Sequence, residues 1–162
     1  LAAAGIRLVY GGGKVGLMGA LADAVLAGGG QVTGVIPAFL VAWEVAHAGV
    51  QDMIVTETMH ARKQIMAERA DAFVMLPGGL GTLDEIVEII TWRMLRLHDK
   101  PILLCDVEGS TLPLRSAIDT AIAEGLATDA ARAAFEVVEG VPALLARLQS
   151  LPGGAAADLS RS

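Results

Sequence analysis

The sequence predicts an α/β fold, a doubly wound parallel sheet with helices on both faces. Three observations carry that prediction. Short apolar runs alternate with longer helical stretches along the chain, the pattern of βαβ units. The apolar runs lack in–out alternation, as strands do when helices cover both faces; Ile102-Leu103-Leu104-Cys105 is an example. Two glycine clusters, Gly11-Gly12-Gly13 and Gly78-Gly79, each follow an apolar run and precede a helical stretch. A glycine turn from strand into helix is the Rossmann-like way of opening a crossover.

The elements follow in order. Leu1-Ala2-Ala3-Ala4-Gly5 reads as a helix end with a glycine cap, so a strand and most of a helix are expected upstream. Residues 6–10 form a strand, and residues 16–27 a helix that Gly28-Gly29-Gly30 ends. Residues 31–36 are a buried strand, and 37–49 a loop with at most a helical turn. Residues 52–55 form a short strand, 59–70 a helix, and 72–76 an apolar strand. The helix over 82–95 is apolar around most of its circumference, leaving Asp84, Glu88 and Thr91 on one stripe. A strand over 102–105, a helix over 113–124, a strand over 135–138 and a helix over 141–151 complete the pattern. Residues 1–151 read as a single nucleotide-binding domain, and 152–162, small and polar, as a disordered tail.

The bulk numbers narrow the function. A chain of 162 residues fits one domain with a sizeable core. A net charge of −6, with no stripe of Lys or Arg, argues against a nucleic-acid partner. The apolar fraction is 54% and the mean hydropathy +0.57. Alanine inflates both figures, and a subunit interface is the second source. The stretch from Leu17 to Trp43 is apolar, but Asp23, the three glycines, Gln31 and Pro37 break it, so neither a membrane span nor a signal peptide is expected. Cys105 is the only cysteine, which rules out an intrachain disulfide, and a cytoplasmic setting is expected. His47 and His98 are isolated in the sequence, no His/Asp/Glu cluster has metal-ligand spacing, and no cofactor is called for.

The run Pro77-Gly78-Gly79-Leu80-Gly81-Thr82-Leu83-Asp84-Glu85 is the strongest chemical signal. A glycine-rich turn into a helix leaves backbone N–H groups at the positive end of the helix dipole, which suits a phosphate. Glycines let the backbone approach the anion without a Cβ between them. Thr82-x-x-Glu85 also matches a capping box, in which Thr82 caps the helix and Glu85 bonds back to the Thr82 N–H. A carboxylate beside a phosphate cradle is unfavourable unless it has a task, and the ribose of a nucleotide lies next to its phosphate. Glu85 is thereby a candidate to meet sugar hydroxyls, a water or a cationic transition state. Gly11-Gly12-Gly13-Lys14-Val15-Gly16 satisfies the dinucleotide pattern G-x-G-x-x-G. That reading needs an acidic residue at the end of the next strand, and Gly34-Val35-Ile36-Pro37 supplies none. Two glycine loops at strand ends suit a mononucleotide better.

Four segments together resemble the LONELY GUY family of cytokinin riboside 5'-monophosphate phosphoribohydrolases. They are the PGGxGTxxE run, Tyr10-Gly11-Gly12-Gly13 with Val15-Gly16-Leu17-Met18-Gly19, Ile36-Pro37, and Met59-His60-Ala61-Arg62-Lys63. The likeness spans about residues 8–134. It implies hydrolysis of the N-glycosidic bond of an N6-substituted adenosine 5'-monophosphate. It implies Glu85 and Arg62 as catalytic residues. Gly11, Gly12, Gly13, Met59, Lys63, Pro77, Gly78, Gly79, Gly81 and Thr82 are the implied substrate and phosphate contacts. A helix apolar around most of its circumference needs more cover than one sheet gives, so a homodimer or larger assembly through helix 82–95 is expected, with Ile90 and Met94 as exposed apolar positions; the resemblance agrees with an assembly through this region. The alternative is a carrier that holds a nucleotide or a phosphorylated cofactor, such as molybdenum cofactor, without hydrolysing it. A carrier needs the glycine loops but not the Glu85 and Arg62 pair. A lysine decarboxylase, an old label for such chains, has no support here, because nothing resembles a pyridoxal phosphate lysine site.

Overall fold

The computed structural model describes residues 1–43 and 45–152, so the tail expected over 152–162 lies outside the described residues except for Pro152. The described residues divide into two compact units, one of Leu1–Ala70 together with 149–152, the other of Asp71–Leu148.

The first unit opens with a 3-10 turn, Ala2–Ala4, closed by Gly5 in the left-handed conformation. It then runs β1 (Leu8–Tyr10), α1 (Gly16–Ala27), β2 (Val32–Pro37), α2 (Ala38–Ala42), β3 (Asp52–Thr56) and α3 (Met59–Arg69). The strands form a parallel sheet in the order β1-β2-β3. Tyr10 lies opposite Gly34 and Pro37 opposite Thr56, so the carboxyl ends of the strands share one edge. All six positions of β2 are buried, which requires cover on both faces. Helices α1 and α3 pack on these strands. Tyr10, Ala22, Val25, Val32 and Val50 make the core, with Leu8, Leu21, Leu26 and Met53 against it.

The second unit runs β4 (Phe73–Met75), α4 (Leu80–Met94), β5 (Ile102–Asp106), α5 (Leu112–Ala123), α6 (Ala130–Ala133), β6 (Glu136–Glu139) and α7 (Gly140–Gln149). Its strands are parallel in the order β4-β5-β6, and β5 is buried at every position. Each fully buried Ile or Leu of β5 contributes about 2 kcal/mol of transfer free energy. Arg147 of α7 donates through Nε to Glu136 of β6 at 2.7 Å, tying the last helix to the last strand.

The structure corrects three expectations. The short helix α6 was not foreseen, because four residues are too few to show a period. The fourth helix starts at Leu80, two residues before the expected Thr82. Gly79 occupies the N-cap with an extended backbone, and the Leu83 N–H donates to its carbonyl at 3.2 Å. Finally, Ile90 is not an exposed position of α4. Ile86, Ile89 and Ile90 make its buried face, and Ile90 at 5% exposure faces the core rather than a partner. Leu80 at 85%, Val87 at 46% and Met94 at 41% remain exposed. Asp84 and Thr91 share that exposed stripe, whereas Glu88 is half-buried.

Candidate functional site

In the first unit the predicted residues gather at the carboxyl edge of the sheet. Gly11 follows β1 directly, and Arg62 reaches it from the first turn of α3. That turn is set by Thr58, whose hydroxyl accepts from the Ala61 N–H at 3.1 Å. Arg62 is 7% exposed, and its Nε donates to the Val35 carbonyl of β2 at 3.0 Å. A Cβ on Gly11 would fall on the Arg62 guanidinium, so only glycine admits the arginine there. Gly12 has φ +73, and a Cβ on it would crowd Ile36 and Met53. Gly13 makes an isolated bridge to Ala46. The Lys14 N–H donates to the Val45 carbonyl at 2.8 Å, and the His47 N–H to the Gly12 carbonyl at 2.9 Å. Met59 opens α3 and is partly exposed, and Lys63 is half-buried.

In the second unit Pro77, Gly78, Gly79, Gly81, Thr82 and Glu85 fall within one loop and the first turns of α4. The Thr82 side chain folds back onto Gly78, where a Cβ would collide with its hydroxyl. Around Gly79 and Gly81 there is open space. No side chain caps this end, and Gly79 leaves the N–H groups of Leu80, Gly81 and Thr82 at the positive end of a 15-residue helix. The helix starts at Leu80 with Gly79 as its N-cap, so Thr82 is the third helical residue rather than the cap, and Glu85 is the sixth.

Two histidines set aside in the sequence have defined partners. His98 Nε2 bonds the Ile89 carbonyl at 3.0 Å, and its ring packs on Phe73. His47, 8% exposed, bonds Asp23 Oδ1 through Nε2 at 3.0 Å. Asp23 is 24 residues away, and no local pattern signals such a pair. Among the described residues no group of three or more His, Cys, Asp or Glu could hold a metal ion. Among them, too, no helix is long and apolar enough to cross a membrane.

Parallel α/β units with glycine loops at the carboxyl edge, one backed by a buried arginine and one opening a helix, define an open Rossmann-like protein. The family model described as "Possible lysine decarboxylase" matches residues 18–148. A cytokinin riboside 5'-monophosphate phosphoribohydrolase of Rhodococcoides fascians is 46% identical over 146 residues, 90% of this chain and 74% of the relative. A protein of that name from Arabidopsis thaliana is 44% identical over 89% of this chain and 68% of its own length. A probable one from Oryza sativa subsp. japonica is 50% identical over 77% and 56%. The chain belongs to this family, the cytokinin riboside 5'-monophosphate phosphoribohydrolases known as LONELY GUY. It spans between 53% and 74% of the length of such relatives. The molybdenum cofactor binding protein of Rippkaea orientalis shares the fold, with a TM-score of 0.67 at 21% identity over 92% of this chain and 79% of that one.

Proposed function

We propose that the protein is an enzyme that hydrolyses the N-glycosidic bond of N6-substituted adenosine 5'-monophosphates, releasing the free base and ribose 5-phosphate. The observation that carries this reading is the start of α4. Three first-turn N–H groups stand at a glycine N-cap without a capping side chain, and Glu85 follows one turn later. The relatives named above support the reaction class and the substrate.

In this reading the 5'-phosphate binds the N–H groups of Leu80, Gly81 and Thr82 and gains from the helix dipole. Pro77, Gly78 and Gly79 shape the turn. Within the first unit, Gly11, Gly12 and Gly13 with Met59 and Lys63 are the proposed substrate contacts, on the strength of the motifs they belong to. The bond from the anomeric carbon to the base nitrogen breaks, its electron pair leaves with the base, and the sugar becomes oxocarbenium-like. Glu85 stabilises that cation and orients the water that adds to it. The water's second hydrogen balances the proton gained by the base. Arg62, held by the Val35 carbonyl, is the first unit's proposed contact to an anionic group of the substrate.

A homodimer or larger assembly through the exposed stripe of α4 belongs to the same reading, as does a cytoplasmic setting. The stripe of Leu80, Val87 and Met94 supports the first. The lone buried thiol of Cys105 supports the second.

The test is a panel of nucleoside monophosphates, nucleosides and triphosphates assayed for free base, with Glu85→Gln alongside. Monophosphates should be far better substrates than nucleosides. The variant should keep its melting temperature and AMP affinity and lose on the order of a hundredfold or more in rate. A Glu85→Gln protein that binds AMP and turns over at the wild-type rate would remove Glu85 from the mechanism. AMP binding without base release by the wild type would favour the carrier instead.

A further inference from the structure

The first glycine loop does not hold its shape alone. It is paired with residues 45–47 through the Gly13 and Ala46 bridge and two backbone hydrogen bonds. What fixes residues 45–47 in turn is His47. The Gly49 N–H can only donate, so Nδ1 accepts it, at 3.1 Å. The ring proton is then on Nε2 and points at Asp23 Oδ1, 3.0 Å away on α1. A Cβ on Gly49 would press on the imidazole at 3.1 Å, so the turn is shaped around the ring. The His47 backbone meanwhile donates to Gly12 and accepts from the Val50 N–H. One residue thus joins α1, the 47–50 turn and the glycine loop.

We propose that His47 is a positioning residue, which pins residues 45–47 to Asp23 and thereby sets the backbone of Gly12–Lys14 for the substrate. This deepens the reaction proposed above and rests on it for the kinetic consequence alone. His47 touches no substrate. Its effect falls on KM for the monophosphate, because the loop binds and the chemistry resides in Glu85.

The test uses the full chain and two independent readouts. Asp23 is 74% exposed on a helix, so Asp23→Ala removes the acceptor without disturbing the core. His47→Gln keeps a donor where Nε2 stands, and His47→Asn keeps only an acceptor where Nδ1 stands. In hydrogen exchange, the Lys14 and His47 amides should exchange about tenfold faster in Asp23→Ala and His47→Asn. His47→Gln should stay at the wild-type level. In the base-release assay, KM for AMP should rise several-fold in the first two, with kcat within about twofold and rescue by His47→Gln. Unchanged exchange in Asp23→Ala and His47→Asn overturns the pin, whatever the enzyme does. Faster exchange with an unchanged KM overturns its link to binding. If the wild type releases no base, the proposed reaction fails, and AMP affinity across the same variants replaces KM.

Discussion

At the scale of the residue, Tyr10 shows how burial writes a pH dependence. It is the only tyrosine. Its ring lies in the core of the first unit, and its hydroxyl has no partner among the described residues. Burial, then the negative charge of Asp23, pushes the phenol from 10 up to about 12. The folded state therefore prefers the neutral phenol. Its contribution is complete below pH 10 and is lost as the pH climbs through 12. Ultraviolet phenolate absorbance should show one transition near pH 12 in the native protein and one near 10 in urea. Tyr10→Phe should flatten the alkaline stability curve. At neutral pH it should be as stable as the wild type or up to about 1 kcal/mol more so, because it removes a buried hydroxyl that bonds nothing. A native transition near the ordinary value would mean that the ring opens to solvent.

At the scale of the element, α4 meets its two ends differently. Its start uses Gly79, the residue that suits an approaching anion. Its end uses Leu95 as the C-cap and then Arg96, which takes φ 60, a conformation that favours glycine. The Leu97 N–H bonds the Trp92 carbonyl at 2.9 Å, so the turn needs that backbone whatever side chain it carries. Arg96→Gly should stabilise the second unit by about 1 kcal/mol without altering the helix, because the left-handed penalty of a Cβ disappears. Urea denaturation gives the difference directly. A loss of stability would show that the Arg96 side chain contributes more than its backbone costs.

At the scale of the whole molecule, the prediction concerns association. Leu80, Val87 and Met94 recur every seven residues on one exposed stripe of α4, the surface that the proposed assembly would cover. Val87→Glu or Met94→Glu should yield monomer or aggregate, read by sedimentation at micromolar concentration. A wild type that sediments as a monomer would refute the assembly. The architecture was legible in the sequence because strands such as 102–105 are apolar at every position and glycines punctuate the chain. The glycine loops were legible for the same reason. The start of α4 is not legible in the sequence, since Thr82-x-x-Glu85 obeys the capping rule while Gly79 takes the cap. The burial of Ile90 is not legible either, because an all-apolar helix does not say which side its own core occupies. The contacts of Arg62 with Gly11 and Val35, and of His47 with Asp23, cross 24 residues or more, beyond the reach of periodicity.

The buried thiol of β5 turns the second unit into its own clock. Cys105 is the one cysteine, its exposure is zero, and burial followed by the nearby Asp106 charge pushes the thiol up. An electrophile in solution meets neither surface nor thiolate while β5 is in place. The rate at which a colourless reagent becomes coloured therefore counts openings of the central strand, one molecule at a time. Added denaturant should accelerate labelling along the same slope as global unfolding of that unit. Labelling that ignores denaturant would mean that β5 is reached by local fraying.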